Sequence, residues 1–266
     1  MSRYKVAIVS LCLNQPYWQY ASDMIASGRK HLLKDHNVDF ILFTDMPVDT
    51  KIDAKIIPTE AFPWPAPTLF RYSVMLKQEE LFSSYDFVFF CDIDMKFVSR
   101  VGDEILGDLV AAQHPMYAIR QGYIPPYEPN PNSASFIPRL GKVLTENNKK
   151  RFQPYYLAGG FQGGRSDVWI KAMKEMKEMI DKDFMENNYV PVWNDETAWN
   201  AYMHKNYPLM ENVVVLNPSY IYPDSLINEY YRPLWGRNFV PKLITITKKF
   251  SLTKEGGANL NKILNA

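Results

Sequence analysis

Apolar residues recur along the first half of the chain in two alternating periods. Residues 4–13 (YKVAIVSLCL) form an apolar, β-branched run that stops at Asn14-Gln15-Pro16, which predicts a buried strand followed by a breaker. Ala21, Met24, Ile25, Gly28 and Leu32 follow at i, i+3, i+4, i+7 and i+11, one face of an amphipathic helix. Residues 38–44 (VDFILFT) return to strand character and end at Asp45. Strand, helix and strand in this order open a βαβ unit, and the alternation predicts an α/β fold with a mostly parallel central sheet flanked by helices.

Further along, residues 55–58 predict a short strand, and 62–67 (FPWPAP) a proline-rich loop. Thr68 is placed to cap a helix through Leu69, Tyr72, Ser73 and Leu76. Residues 85–91 (YDFVFFC) are nearly all apolar and predict a central strand that runs out into Asp92-Ile93-Asp94. Residues 101–112 predict a short helix, and 121–141, with five prolines, a long loop of the kind that is functional or disordered. Residues 155–164 (YYLAGGFQGG) read as a turn, or as bare backbone that a ligand approaches closely. From Ser166 a helix places Trp169, Ala172, Met173, Met176, Met179 and Ile180 on one stripe, which is a core face. Residues 192–196 (VWNDE) open another helix through Asn200 and Met203, and 213–216 predict a strand. No repeat or linker divides the chain, so residues 1–250 are expected to form a single domain and 251–266 a mobile tail.

Composition narrows the function classes. Hydrophobic residues are 47% and charged residues 22%, the balance of an ordered globular chain. A net charge of +1 supplies no field for nucleic acid or an anionic membrane. The longest apolar runs are far short of the ~20 residues of a membrane span. The two cysteines, Cys12 and Cys91, lie in strand-like segments and suit a reducing compartment. Aromatics reach 14%, with 17 Tyr and 6 Trp, many of them in proline-rich stretches. Such rings either pack loops or stack on bases and sugar faces.

Three segments carry candidate chemistry. Asp92 and Asp94, at i and i+2 where a buried strand emerges, put two carboxylates on one side of extended backbone. Ligands of open α/β sheets bind at such strand ends. Paired hard oxygens there suit Mn²⁺ or Mg²⁺ with phosphate oxygens completing the shell; the plainer reading is a solvated acid pair in a turn. Gly159-Gly160 and Gly163-Gly164 offer unshielded backbone. Trp193-Asn194-Asp195-Glu196 joins an aromatic plate to two acids, either helix-capping acids or a sugar site. There is no C-x-x-C, H-x-x-x-H, P-loop or G-x-G-x-x-G.

Taken in order, these segments resemble glycosyltransferase family 6, the family of the histo-blood-group A and B transferases and α1,3-galactosyltransferase. The likeness runs from about residue 6 to about residue 250. It includes Phe43-Thr44-Asp45, Asp92-Ile93-Asp94-Met95-Lys96-Phe97, Val101-Gly102, Glu104-Ile105-Leu106, His114-Pro115, Phe136-Ile137-Pro138, Tyr155-Tyr156, Gly163-Gly164, Trp193, Asp195-Glu196 and Asn200. The resemblance implies a GT-A fold, Rossmann-like, that binds a UDP-sugar with Mn²⁺ and transfers Gal or GalNAc to a β-galactoside with retention.

By the same resemblance Asp92 and Asp94, flanking Ile93, match the metal-binding acids, and Arg71 matches a donor-contacting arginine. Leu11, Cys12 and Leu13 match the strand whose backbone holds uracil, with Tyr17 as its stacking ring. His114 and Trp193 match acceptor contacts, Asp195 a donor-sugar contact, and Glu196 the nucleophile, also at the acceptor. Lys248 or Lys249 takes the place of a C-terminal base that closes on the diphosphate. Two departures stand out: Asn194 replaces the family's histidine, and the stretch from Tyr156 to Gly163 is one residue longer. The sugar-selecting positions therefore fall among Leu157, Ala158, Gly159 and Gly160; all but Leu157 are small, which favours GalNAc over Gal. Residues 1–5 carry no apolar leader, which with the resemblance implies a soluble, cytoplasmic bacterial or phage member. The alternatives are a retaining hexosyltransferase of another GT-A family acting on a lipopolysaccharide core, and a carbohydrate-binding relative without catalysis.

Overall fold

A computed structural model describes residues 3–47, 52–118, 125–138, 155–206, 210–227 and 239–248. The chain opens as β1 (Lys5–Cys12), α1 (Gln15–His31), β2 (Asn37–Thr44) and β3 (Lys55–Pro58). Three short helices follow, α2 (Ala66–Leu69), α3 (Arg71–Leu76) and α4 (Glu79–Ser83). Then come β4 (Phe87–Cys91), β5 (Met95–Phe97), a 3-10 turn at Asp103–Ile105, β6 (Leu109–Gln113) and α5 (Pro115–Ala118). The second half contains β7 (Leu157–Arg165), α6 (Ser166–Asp181), a π-helical turn at Lys182–Glu186 and α7 (Asp195–Asn206). It continues with β8 (Val213–Leu216), β9 (Tyr222–Pro223) and β10 (Leu243–Thr245).

Seven strands form the central sheet in the order β3-β2-β1-β4-β7-β6-β8. Its pairings are parallel except at β7, which runs antiparallel to both β4 and β6. The sheet is thus mostly parallel and flanked by helices, an α/β fold consistent with GT-A architecture.

The continuous apolar run of β1 has a direct cause. Ala7 and Val9 enter one core with Trp169, Met173 and Met176 of α6, while Val6 and Ile8 enter a second core with Met24 and Ile25 of α1. A strand covered on both faces cannot alternate apolar with polar residues. Pro16, read as a breaker, stands in the first turn of α1, where a missing N–H costs nothing. A small second sheet, β5-β10-β9, lies beyond the carboxyl end of β4, and β10 pairs antiparallel with β5.

Three expectations are corrected. Residues 101–112 are not a helix: after the 3-10 turn, Leu109–Gln113 is strand β6 between β7 and β8, its first four residues buried. The apolar spacing from Val101 to Ala112 fits a helical period only because turn and strand each bury their own residues. Residues 157–165 are not a turn but the long antiparallel strand β7. Glycines hide its strand character, and Gly163 is needed for strand approach, since a Cβ there would lie 2.4 Å from the Val88 carbonyl oxygen. Thr68 caps nothing; α2 begins at Ala66 and the chain restarts as α3 after Phe70.

The described part of the proline-rich loop, residues 125–138, has neither helix nor strand. Lys249 and the tail 251–266 lie outside the described residues. Among the described residues no helix is long and apolar enough to cross a membrane.

Candidate active site

Parallel pairing brings the carboxyl ends of β1 and β4 to the same sheet edge, the place where α/β folds bind ligands. Asp92-Ile93-Asp94 is the turn that leaves β4 there. On the neighbouring strand, β7 breaks register against β6: Ala111 pairs with Gln162, yet Ala112 pairs with Ala158. Residues 159–161 therefore bulge out of the ladder, and such bulges re-aim the chain at functional sites. The bulge turns Gly159 and Gly160 toward the acids. A Cβ on Gly159 would sit 3.4 Å from Asp195 Oδ2, and one on Gly160 would sit 2.9 Å from Asp92 Oδ2. The first turn of α7 supplies Asp195 and Glu196, after Asn194, whose φ of 52° turns the chain between Trp193 and the helix.

These elements enclose a cavity of about 310 Å³ lined by Leu11, Leu13, Tyr17, Arg71, Asp92, Ile93, Asp94, Gly159, Gly160, Trp193, Asp195, Glu196 and Lys248. Trp64, Pro67, Thr68, Phe90 and Asn194 complete the wall. Most of the residues assigned from the sequence therefore meet in one place. Cys12 and Ala158 are buried beside the cavity in the core, and Leu157 is fully buried. The residues of the ambiguous stretch that face the cavity are therefore Gly159 and Gly160. His114 does not line this cavity: its ring packs on Tyr117 at 4.9 Å and Tyr156 at 5.8 Å, and burial lowers its pKa to about 4, which favours the neutral ring. Trp193 is at the rim, 47% exposed.

Arg71 organises the acids. Its Nε lies 2.9 Å from Asp195 Oδ2, and its Nη1 lies 3.6 Å from Asp92 Oδ1 and donates to the Gly159 carbonyl at 3.1 Å. Glu196 Oε2 accepts from the Gly159 N–H at 2.7 Å. Burial pushes both Asp195 and Glu196 up to about 7; Arg71 opposes the rise at both, and the Gly159 N–H and the Tyr156 hydroxyl oppose it at Glu196. Asp92 is also raised, first by loss of water and then by Asp94, against the pull of Arg71. Lys248 Nζ is 3.1 Å from Asp94 Oδ2 and 5.2 Å from the centroid of the Tyr17 ring. It gets there because β10 pairs with β5 and the Ile246 N–H donates to the Asp94 carbonyl at 2.8 Å.

Several supporting residues have no role assigned from the sequence, although Asn200 and Tyr156 are among those that carry the resemblance. Asn200 exchanges two hydrogen bonds with Leu157 and also donates to the Glu196 carbonyl at 2.8 Å, tying α7 to the start of β7. Gln162 accepts from the Tyr72 hydroxyl at 3.0 Å and donates to the Gly159 carbonyl at 2.8 Å, so two donors hold the bulge. A polar residue amid buried glycines was the available signal for Gln162. Tyr156 buries its hydroxyl without a hydrogen-bond partner among the described residues, and its presence near Glu196 favours the ionised carboxylate.

The donor set fits a hard divalent ion shared with a ligand. Asp92 and Asp94 present oxygen to the cavity, and the missing Cβ of Gly160 leaves room beside Asp92. Among the described residues no group of three or more His, Cys, Asp or Glu assembles, so two carboxylates would need oxygens from a bound phosphate or water to complete the shell. Asp195 adds a second mark of a ligand site: among the described residues none hydrogen-bonds either of its buried oxygens.

Comparison with known proteins agrees with this geometry. Over 213 residues the chain is 26% identical to histo-blood group ABO system transferase 1 of Rattus norvegicus, covering 76% of this chain and 57% of that protein. It is 26% identical over 222 residues to globoside alpha-1,3-N-acetylgalactosaminyltransferase 1 of Gallus gallus, covering 78% of this chain and 59% of the relative. It is 22% identical over 210 residues to the O-antigen biosynthesis glycosyltransferase WbnI of Escherichia coli, covering 77% and 84%. The chain thus spans less than two thirds of the length of the two animal relatives. Residues 5–232, which hold β1 through α7 and every acid of the cavity, match the model of one family along their length, and the chain belongs to glycosyltransferase family 6.

Proposed function

We propose that the chain is a retaining α1,3-glycosyltransferase that moves GalNAc, or Gal, from a UDP-sugar to a β-galactoside, with Mn²⁺ or Mg²⁺ held at Asp92 and Asp94. The observation that carries this reading is the single cavity in which two acid pairs, 92/94 and 195/196, face each other across Arg71, between Tyr17 and Trp193. Family membership supports glycosyl transfer. Likeness to the globoside alpha-1,3-N-acetylgalactosaminyltransferase of Gallus gallus supports the α1,3 linkage and GalNAc. The bare backbone of Gly159, beside Asp195 and Glu196, leaves space for an N-acetyl group.

The divalent ion, when bound, supplies positive charge to the departing diphosphate. The remaining steps belong to the protein. Tyr17 and Leu13 offer a ring and an apolar wall to a base, and Lys248 brings a cation to the phosphates. Asp195, whose oxygens pair with Arg71 by charge but accept no hydrogen bond from the described residues, takes hydroxyls of the donor sugar. Glu196, anchored by the Gly159 N–H, turns a carboxylate toward the anomeric carbon and meets the positive charge that develops as the glycosidic bond opens. Burial raises its pKa to about 7, so Glu196 ionises as pH passes that value, and the Gly159 N–H and Arg71 favour the ionised form. Trp193 presents a flat face to an acceptor at the rim.

The test is incubation with Mn²⁺, a panel of UDP-sugars, and lactose or fucosyl-lactose, with the product linkage read by NMR. An α1,3-linked GalNAc or Gal product lost on chelation is the expected result. Transfer of glucose, or turnover indifferent to chelation, overturns the donor or the metal assignment respectively.

A further inference from the structure

We propose that Glu128 is a positioning residue that sets the pose of Trp193 toward the acceptor without touching sugar itself. This rests on the reading of Trp193 as the acceptor platform. Glu128 is 2% exposed and lies in the irregular segment 125–138. Its Oε2 accepts from the Val192 N–H at 3.0 Å. Its Oε1 accepts from the Tyr189 hydroxyl at 2.6 Å and from the Asn130 N–H at 2.9 Å. Two residues earlier on the same segment, the Pro126 carbonyl accepts from Trp193 Nε1 at 3.1 Å. The Pro191–Val192 peptide and the edge of the Trp193 ring are thus tied to one short stretch of chain, while the Trp193 N–H donates to Thr197 Oγ1 at 3.0 Å.

Those ties matter because packing cannot replace them. Val192 and Trp193 are each 47% exposed, and among the described residues neither packs into the two core clusters. The far end of the segment is pinned separately: Asp183, fully buried, accepts from Ser133 Oγ at 2.6 Å and the Ala134 N–H at 2.7 Å. With its indole N–H committed to Pro126, Trp193 keeps only its face and outer edge for a ligand. It recognises the apolar side of a sugar by stacking, and its discrimination depends on ring angle.

Glu128→Gln tests this with minimal change of shape. Whichever way the amide lies, its NH₂ meets a backbone N–H, of Val192 or of Asn130, so the clamp loses a bond on one side. The full chain is labelled with 5-fluorotryptophan, and the Trp193 resonance is identified by its loss in Trp193→Phe. In Glu128→Gln that resonance should shift or broaden while those of the other tryptophans hold. The acceptor KM should rise about tenfold, with the UDP-sugar KM within about twofold. An unmoved Trp193 resonance, or an unchanged acceptor KM, overturns the proposal. If Glu128→Gln fails to fold, Tyr189→Phe removes one donor and introduces none, and should shift both readouts the same way by less. The two levels fail differently. A Trp193→Ala variant with an unchanged acceptor KM sinks the acceptor reading, whereas a raised one beside a normal Glu128→Gln sinks only the role of Glu128.

Discussion

Arg71 and Asp195 meet at 2.9 Å with side chains only 7% and 1% exposed, an ion pair buried at the floor of the cavity. The same guanidinium lies 3.6 Å from Asp92, so one cation couples the two acid pairs, and it also stacks 4.2 Å from the centroid of the Phe90 ring. Among the described residues no hydrogen bond of good geometry reaches Arg71 Nε or either Asp195 oxygen. The attraction is therefore charge held without direction, which leaves Asp195 free to take hydroxyls from a ligand. A fold keeps such a pair in spite of its desolvation cost when function needs it.

Removing the cation leaves Asp195 buried and uncompensated. Arg71→Met should cost about 3 kcal/mol in urea unfolding, and adding Asp195→Asn should recover more than half of that loss. Equal stability of the single and double variants would show that the pair is not coupled. Arg71→Lys keeps the charge but not the planar reach to Asp195, Asp92 and the Gly159 carbonyl together, and should lower kcat by about 100-fold.

Burial sets the sign of the pH response. Asp195 and Glu196 are raised to about 7 from an unfolded value near 4. Between those values the native state holds protons that the unfolded chain has released. Stability of the nucleotide-free protein should therefore be fullest below about pH 4 for these two groups and fall as pH rises toward about 7. Activity should move the opposite way, with kcat/KM rising through about pH 7 as Glu196 ionises. Thermal unfolding across this window should show a shallower slope in Glu196→Gln, and an unaltered slope would exclude Glu196 as its source.

Much of this site is legible from residue order, because its acids stand next to elements with strong patterns. Asp92 and Asp94 follow the apolar run of β4, and Asp195 and Glu196 open the helix after Trp193. The methionine stripe of α6 is a core face for the reason its spacing gives. The strand β7 is not legible, since Gly159, Gly160, Gly163 and Gly164 show neither period nor propensity, and strand pairing alone decides their conformation. Nor could spacing reveal the bulge at Gly159, whose existence depends on β6 slipping against β7. Long-range ties such as Arg71 to Asp195, or Glu128 to Val192, join segments far apart in the chain and leave no local trace.

The bulge makes neighbouring glycines unequal. A methyl at Gly159 would meet Asp195 and Glu196 at 3.4–3.5 Å, ordinary contact, while one at Gly160 would press on Asp92 Oδ2 at 2.9 Å and Ile221 Cδ1 at 3.0 Å. Gly159→Ala should fold normally and lose use of UDP-GalNAc by at least about tenfold more than UDP-Gal, by taking space from the N-acetyl group. Gly160→Ala should instead displace Asp92 and weaken Mn²⁺ binding with either donor. Equal losses for both sugars in Gly159→Ala would remove this position from donor selection.

Lys248 Nζ lies 3.1 Å from Asp94 Oδ2 and 5.2 Å from the centroid of the Tyr17 ring, so one ammonium contacts both the acid proposed to hold a divalent ion and the ring proposed to stack on a base. Asp94 cannot give the same oxygen fully to both cations. Lys248→Ala should therefore tighten binding of Mn²⁺ alone by several-fold, since the ion no longer displaces an ammonium held by Asp94 and Asp92. Binding of UDP with Mn²⁺ should weaken in the same variant, because the cation next to the phosphates is gone. Electron paramagnetic resonance of free Mn²⁺, with and without UDP, reads both changes. Their opposite signs separate competition at Asp94 from general damage, which would weaken both. If Mn²⁺ alone binds the variant no better than the parent chain, Lys248 does not compete for the site.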